Sequence, residues 1–288
     1  MISRSSRNGV CRYNQSTENE MDKLTHLSLC SGIGGLDLAA EWAGFKTIGQ
    51  CEIDDYASRV LAKNFKGVPN FHDIRTVTNE RLAEHGIKPG SITVVSAGFP
   101  CQPYSLAGKG LGDSDERDLW GEVARVLKEF RPQWFVGENT PGLFSRENQR
   151  YFRRILNDLT SLGYRVGWGI WGACDVGAPH KRNRIFIIAY ANSKRCIRIY
   201  KNIEKKRTTM YLPTTSPRTA WENIRAYKEI DRIFCILRNT PEPYSEFVRD
   251  DNGIPYELDR IKCNGNAVVP QQAYPIFEAI AKIELLQG

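Results

Sequence analysis

The 288-residue sequence predicts an α/β fold with a mostly parallel sheet, followed by a second, smaller domain. Up to about residue 190, short runs rich in β-branched residues alternate with amphipathic helical stretches, as in βαβ units. A basic segment with poor periodicity follows, and an apolar helical pattern then resumes near the C-terminus. We therefore divide the chain into a leader (1–22), a large α/β domain (23–190), a basic domain (191–257) and a C-terminal segment (258–288) that returns to the large domain.

The individual elements follow from apolar periodicity and from the Gly and Pro residues that end each run. Strands are predicted at 26–30, 46–51, 91–97, 133–138, 164–171 and 184–190. Helices are predicted at 36–43, 54–65, 115–130, 148–163 and 271–286. Only a loop separates the last two strands, which indicates an antiparallel pair at that end of the sheet.

Composition excludes several classes of protein. With 41% hydrophobic and 25% charged residues the chain is typical of a globular protein. It has no apolar run of bilayer length and no signal peptide, so we expect a cytoplasmic protein, from a bacterial or phage-infected cell. Its eight cysteines include no CxxC pair, which favours free thiols and predicts no metal site. Residues 1–22 resemble a disordered leader, and Met21 is an alternative start.

Positive charge is concentrated in one segment. The formal net charge is +7, and residues 191–240 hold twelve Lys or Arg against four Asp or Glu. That segment alone carries +8, interleaved with aromatic residues such as Tyr200, Tyr211 and Trp221. Basic and aromatic side chains together suit a nucleic acid, while the alternative is a solvated, flexible basic loop.

A glycine-rich turn separates the first strand from the first helix. Gly32, Gly34 and Gly35 lie where a ligand approaches backbone N–H groups, and Glu52 ends the next strand 20 residues after Gly32. An acid at this place accepts hydrogen bonds from both hydroxyls of a ribose. The turn is not a full GxGxxG, so a nucleoside cofactor without a pyrophosphate fits at least as well. The alternative is a tight strand–helix connection.

A second cluster is expected where two later strands end. Cys101 follows the strand at 91–97, and Glu138 ends the strand at 133–138. If these strands are parallel neighbours, a thiol nucleophile and a carboxyl acid face one pocket. Arg182 and Arg184 precede the last strand and bring positive charge there, which favours a thiolate. For each of these residues the alternative is an ordinary buried thiol or a solvated charge at a strand end.

The motifs LSLCSGIGGLDLA, CEID, HDI, GFPCQPYSLAGKG, the Glu-Asn of GENTPGL, HKRNRIF and GNAVVP occur in one order along the chain. In this order and spacing they resemble the DNA cytosine-5 methyltransferases. They cover about 24–190 and 261 to the C-terminus. The resemblance implies a Rossmann-like S-adenosylmethionine-dependent methyltransferase fold, with the basic segment as a small target-recognition domain.

The resemblance also implies residue roles. Cys101 would attack C6 of a flipped cytosine, so that C5 takes the methyl group of S-adenosylmethionine. Glu138 would hold N3 and the exocyclic amine and supply a proton, while Arg184 would contact O2 with support from Arg182. The implied DNA contacts are Gln102, Ser105 and Arg184. The implied cofactor-binding residues are Cys30, Ser31, Gly32, Ile33, Gly34, Gly35, Glu52, Ile53, Asp73, Ile74, Pro100, Leu119, Asn266 and Ala267.

The implied partner is double-stranded DNA, with a monomeric protein, no membrane, and a restriction endonuclease as a possible functional partner.

Three features depart from the family pattern. Thr140 replaces a usual Val, His180 replaces a usual Gln, and the motif that normally precedes GNAVVP is not recognisable. Two alternatives stay open: a tRNA cytosine-5 methyltransferase of the same superfamily, and a DNA-binding relative without turnover.

Overall fold

A computed structural model describes residues 24–88, 90–100, 118–145, 148–191 and 268–285. Within these residues a 6-stranded sheet has the order β2-β1-β3-β4-β6-β5. The strands are β1 Thr25–Leu29, β2 Lys46–Cys51, β3 Val94–Ala97, β4 Trp134–Asn139, β5 Tyr164–Trp171 and β6 Arg184–Ala191. The helices, numbered here in chain order, are α1 Gly35–Trp42, α2 Asp55–Asn64, α3 Asn79–Ala83, α4 Trp120–Phe130, α5 Gln149–Ser161 and α6 Pro270–Leu285.

Strands β2, β1, β3 and β4 are parallel, which confirms the predicted βαβ arrangement. β6 pairs antiparallel with both β4 and β5. The antiparallel pair was predicted, but the insertion of β6 between β4 and β5 was not. Because β6 runs opposite to β4, its first residue lies at the edge of the sheet where the parallel strands end.

The two faces of the sheet carry separate apolar cores. On β1, Leu27 and Leu29 pack into the core that α4 and α5 complete. His26 and Ser28 alternate with them and face the side covered by α1 and α6. All four side chains are buried, so each face of β1 lies inside the molecule.

The C-terminal helix α6 packs into the second core. The Ala273, Ile276 and Phe277 side chains of α6 are fully buried in the second core. The indole nitrogen of Trp171, at the end of β5, donates to the carbonyl oxygen of Gln272 at 2.9 Å. These contacts join residues 101 positions apart in the chain.

One helix begins later than predicted. The apolar period predicts a helix from residue 115, but α4 begins at Trp120. The Asp118 carboxylate accepts hydrogen bonds from the Trp120 backbone N–H (3.0 Å) and from the Tyr151 hydroxyl (2.8 Å). Asp118 also forms an ion pair with Arg154 at 2.7 Å, and the Asp118 side chain is only 5% exposed. Asp118 is therefore fixed by the start of α4 and by α5, instead of forming part of the helix.

No helix among the described residues is long and apolar enough to cross a bilayer. Cys30, Cys51 and Cys174 are free cysteines. The leader 1–22 and the basic domain, apart from Ala191, lie outside the described residues, so these boundaries stay predictions.

Candidate cofactor site and carboxyl–arginine pair

The candidate site lies along the edge where the four parallel strands end. β1 leads into Cys30 and the glycine-rich turn, β2 leads into Glu52, β3 leads into Gly98–Pro100, and β4 ends in Glu138 and Asn139. β6 begins at the same edge with Arg184. Ligands of open α/β sheets bind beyond the carboxyl ends of the strands, so this edge is the expected place for a site.

The glycine-rich turn is fixed by close packing behind it and is open in front. Cys30 has a φ of 50°, a left-handed conformation that is uncommon for a residue with a side chain. A Cβ on Gly34 would collide with the Phe65 ring, and one on Gly35 with the carbonyl oxygen of Val268. A Cβ on Gly32 would meet no atom of the described residues within 4 Å. Among the residues that the structure describes, none fills the space beside Gly32.

Glu52 is tied to this turn. Its Oε2 accepts a hydrogen bond from the Gly32 backbone N–H at 2.7 Å, and its Oε1 accepts one from the Asp54 backbone N–H at 2.8 Å. A carboxylate has about four lone-pair positions, so two stay available for ligand hydroxyls. The neighbouring Ile53 side chain is 66% exposed, which places an apolar surface beside the acid.

A loop after α2 supports Glu52 from the side. The Asn70 side-chain oxygen accepts hydrogen bonds from the backbone N–H groups of Glu52 (3.0 Å) and His72 (3.1 Å), and its nitrogen donates to the Glu52 carbonyl at 3.2 Å. Asp73 follows as the cap of a 3-10 helix (Ile74–Thr76), with its carboxylate accepting from the Arg75 N–H at 3.0 Å. Ile74 is buried in the core, whereas Asp73 is partly exposed.

Gly98 connects the two predicted clusters. Its N–H donates to the Leu29 carbonyl at 3.3 Å. A Cβ at Gly98 would lie 3.5 Å from the Cys30 carbonyl oxygen and 3.6 Å from Oε2 of Glu138. The end of β1 and the end of β4 therefore meet across a single glycine, and the glycine-rich turn and Glu138 belong to one continuous site.

The segment that leads to Cys101 is anchored at the end of β4. The Asn139 side chain donates to the Phe99 carbonyl at 2.9 Å, and both residues are buried. Pro100 is exposed at the edge. Leu119, also in the predicted cofactor set, is half-buried at the start of α4 and packs against the first core.

Glu138 forms an ion pair with Arg184. Oε1 of Glu138 lies 2.8 Å from Nε of Arg184, and both side chains are largely buried, at 8% and 12% exposure. Burial raises the pKa of Glu138 from 4.5 to about 7, although the positive charges of Arg184 and Arg182 act in the opposite direction. A carboxyl group with this pKa is partly protonated at neutral pH, so it can donate a proton as well as accept one.

The contacts above join the glycine-rich turn, Glu52, Glu138 and Arg184 along one edge of the sheet. The predicted site residues that the structure describes are Cys30, Ser31, Gly32, Ile33, Gly34, Gly35, Glu52, Ile53, Asp73, Ile74, Pro100, Leu119, Glu138, Arg182 and Arg184. Cys101, Gln102, Ser105, Asn266 and Ala267 lie outside the described residues. Their roles stay predictions from the sequence.

Sequence reasoning gave no role to the side chains that hold the site in place. Asn70, Asn139 and Gln272 each bind backbone groups that are distant in sequence or in another element. Asn139 lies in the motif GENTPGL, so the sequence indicated that this position matters. Asn70 lies in GVPNF, which matches no motif. Gln272 gave a weak signal, as a polar residue within an otherwise apolar helix face.

A mostly parallel sheet with a glycine-rich turn after β1 and an acid after β2 is typical of α/β proteins that bind ligands beyond the carboxyl ends of their strands. The model of the C-5 cytosine-specific DNA methylase family matches residues 24–254. The chain belongs to this family.

Individual relatives agree with this assignment. The chain is 38% identical over 168 residues to the type II methyltransferase M.NgoBI of Neisseria gonorrhoeae, covering 58% of this chain and 50% of that protein. It is 36% identical over 171 residues to the type II methyltransferase M.HaeII of Haemophilus aegyptius, covering 59% and 51%. A solved structure, described as a DNA modification methyltransferase encoded within a prophage of E. coli, matches with a TM-score of 0.50 and 29% identity, covering 58% of this chain and 47% of that one. The chain spans about half the length of the curated relatives it matches.

Proposed function

We propose that this protein transfers a methyl group from S-adenosylmethionine to C5 of a cytosine flipped out of duplex DNA. The observation that carries the proposal is the buried Glu138–Arg184 pair, which lies across Gly98 from the glycine-rich turn. A carboxyl group with a raised pKa beside a guanidinium can bind the amide-like edge of a pyrimidine and protonate it. Membership of the C-5 cytosine-specific DNA methylase family supports the same reaction.

The described residues fit the cofactor. Glu52 offers carboxylate oxygens to ribose hydroxyls beside the open space at Gly32, and the exposed Ile53 side chain offers an apolar surface to an adenine. Asp73, which the resemblance places at the adenine, is partly exposed and adds a carboxylate acceptor. When bound, S-adenosylmethionine supplies an electrophilic methyl group.

The chain's own groups would do the rest of the chemistry. The Cys101 thiolate adds to C6 of cytosine while Glu138 gives a proton to N3, and C5 thereby becomes nucleophilic enough to accept the methyl group. A water molecule then takes the C5 proton, the C5–C6 double bond re-forms as the C6–S bond breaks and the thiolate leaves, and the N3 proton returns to Glu138. Arg184 stabilises the charge that develops on the ring. Base flipping costs a few kcal/mol, which contacts in the pocket offset.

The basic segment 191–257 is proposed to bind the DNA target. Its charge of +8 over residues 191–240 suits the phosphate backbone. We also propose that the protein acts as a monomer. A restriction endonuclease of the same specificity would be its functional partner, since the relatives are named type II methyltransferases.

Transfer of labelled methyl groups tests the proposal. Purified protein with labelled S-adenosylmethionine should label duplex DNA and leave tRNA unlabelled, and Glu138→Gln should reduce the labelling strongly. Labelling of tRNA but not DNA would replace the proposal with the tRNA methyltransferase alternative. Binding of DNA without any labelling would indicate a relative that has lost turnover.

A further inference from the structure

Gln272 is a buried polar side chain that links the C-terminal helix to the arginine loop. It is fully buried on α6. Its Nε2 donates to two backbone carbonyls, those of Trp171 and Arg182, each at 3.1 Å. Both acceptors are carbonyl oxygens, so the amide nitrogen, and not the amide oxygen, must face them.

The oxygen of the Gln272 amide accepts no hydrogen bond from the described residues. This oxygen, Oε1, is also buried. An unpaired buried acceptor is unfavourable for folding, and an apolar side chain of the same volume would avoid that loss. An apolar side chain would, however, also remove the donor that the Trp171 and Arg182 carbonyls share, so the two donated bonds account for the Gln at this position.

The segment held by Gln272 carries both arginines of the site. Arg182 has a φ of 34°, a conformation that its own side chain disfavours. The Ala173 N–H donates to the carbonyl of Lys181 at 2.6 Å, and a Cβ on Gly172 would come within 2.5 Å of that same oxygen. The loop 181–183 is thus packed against the end of β5 and held by the hydrogen bond from Gln272. Arg184 follows this loop directly.

The beginning of the same C-terminal segment touches the glycine-rich turn. The carbonyl oxygen of Val268 occupies the place that a Cβ on Gly35 would need. Four residues later, Gln272 holds Arg182. One short stretch of chain therefore contacts both the turn proposed to bind the cofactor and the loop that delivers Arg184 to Glu138.

We propose that Gln272 is a positioning residue for the arginine loop, holding the Arg182 carbonyl so that Arg184 meets Glu138. This inference rests on the proposed function. Helix α6 would then help to place the side chains that act on the cytosine, in addition to packing its apolar residues into the core. Gln272 does not touch the reacting atoms, and it acts only through the two arginines.

Gln272→Met tests the inference, with Gln271→Met as its matched control. Methionine keeps the length and approximate volume of glutamine but has no donor, and Gln271 is the exposed residue beside it on the same helix. At saturating DNA and cofactor, Gln272→Met should lower the single-turnover rate of methyl transfer by roughly tenfold or more, because small misplacements of reacting groups are costly. The dissociation constant for S-adenosylmethionine should stay within about twofold of wild type, since the residue that meets the turn is Val268 and not Gln272. Gln271→Met should change neither quantity.

A second variant keeps the test decisive if the first does not fold. Gln272→Glu has nearly the same shape but turns a donor into an acceptor facing two carbonyls, and it should lose rate in the same way. Equal rates in wild type and in a folded Gln272 variant would overturn the inference while leaving the proposed function intact. A parallel loss of rate and of cofactor affinity, or failure of both variants to fold, would show a general structural role and would also overturn it. A wild-type protein that transfers no methyl group to DNA overturns both proposals.

Discussion

Glu52 combines two tasks in one side chain. Each of its oxygens accepts a backbone N–H, one from the glycine-rich turn and one from the start of α2. The side chain therefore fixes the shape of the proposed cofactor site and still has lone pairs directed away from those N–H groups. A carboxylate is suited to this position because it accepts several hydrogen bonds at once.

Glu52→Ala should raise the dissociation constant for S-adenosylmethionine at least about tenfold without unfolding the protein. A charge-assisted hydrogen bond contributes about 1.5–3 kcal/mol, and the variant loses the ribose contacts as well as the anchor of Gly32. Titration calorimetry measures the effect. Asp55→Ala, in the exposed first turn of α2, is the control and should bind normally. Unchanged affinity of Glu52→Ala would remove this residue from the cofactor site.

At the residue scale, the sequence predicts groups that perform chemistry better than groups that support them. Glu52 was predicted because an acid 20 residues after Gly32 follows a known arrangement in α/β proteins. Asn70 was not predicted, although it holds the Glu52 backbone from both sides. Its partners at Glu52 are backbone groups, and a backbone contact leaves no complementary side chain in the sequence to be recognised. Its nitrogen also donates to the Ser58 hydroxyl at 2.9 Å, a pairing that the sequence did not indicate either.

At the scale of elements, β1 is the central example. Its alternation places Leu27 and Leu29 in one core and directs His26 and Ser28 toward the other. The two ring nitrogens of His26 lie 3.1 Å from the Thr47 hydroxyl of β2 and 2.7 Å from the Ser96 hydroxyl of β3. The ring therefore joins three strands, and burial lowers its pKa from 6.5 to about 3.

This burial should make the protein sensitive to acid. Between pH 6.5 and 3 the unfolded chain binds a proton at His26 that the folded chain does not, so the free energy of unfolding falls as the pH falls. From pH 6.5 to 5 the loss due to His26 is about 2 kcal/mol. Urea unfolding at a series of pH values should show a smaller loss in His26→Gln.

The exposed His85, on the segment after α3, supplies the control. His85→Gln should keep the full acid sensitivity of the wild type. The same pH dependence in wild type and His26→Gln would mean that the imidazole is not buried in its neutral form.

The elements themselves were largely predictable, and their order in the sheet was only partly so. Periodicity located all six strands to within about three residues at either end, since each run of apolar residues is bounded by Gly, Pro or polar residues. The place of β6 between β4 and β5 was not predicted. It depends on contacts such as Glu138 opposite Phe186, which join residues far apart in sequence.

At the scale of the whole molecule, charge is distributed unevenly. The net charge of +7 comes from the segment 191–240, while the remaining residues sum to about −1. The carboxyl edge of the sheet supplies the proposed chemistry, and the basic segment supplies the proposed affinity for DNA. The two functions are therefore expected to respond differently to salt.

DNA affinity should fall steeply with ionic strength. If about six basic side chains neutralise phosphates, a plot of log K against log salt should have a slope near −5. Fluorescence anisotropy with labelled duplex measures this slope, and cofactor affinity should change little over the same range. A slope near zero would mean that the basic segment does not contact the phosphate backbone.

The most direct test of the account is a covalent complex with duplex DNA that carries 5-fluorocytosine at the target position. Fluorine cannot leave C5 as a proton does, so the reaction should stop after methyl transfer, with the base still attached to Cys101. A denaturing gel should show a shifted band that depends on S-adenosylmethionine, and peptide mapping should locate the attachment at Cys101. Cys101→Ser should give essentially no band, because a hydroxyl is far less ionised than a thiol near positive charge, and Glu138→Gln should form it much more slowly. A band that persists in Cys101→Ser, or that maps to another of the eight cysteines, would contradict the account.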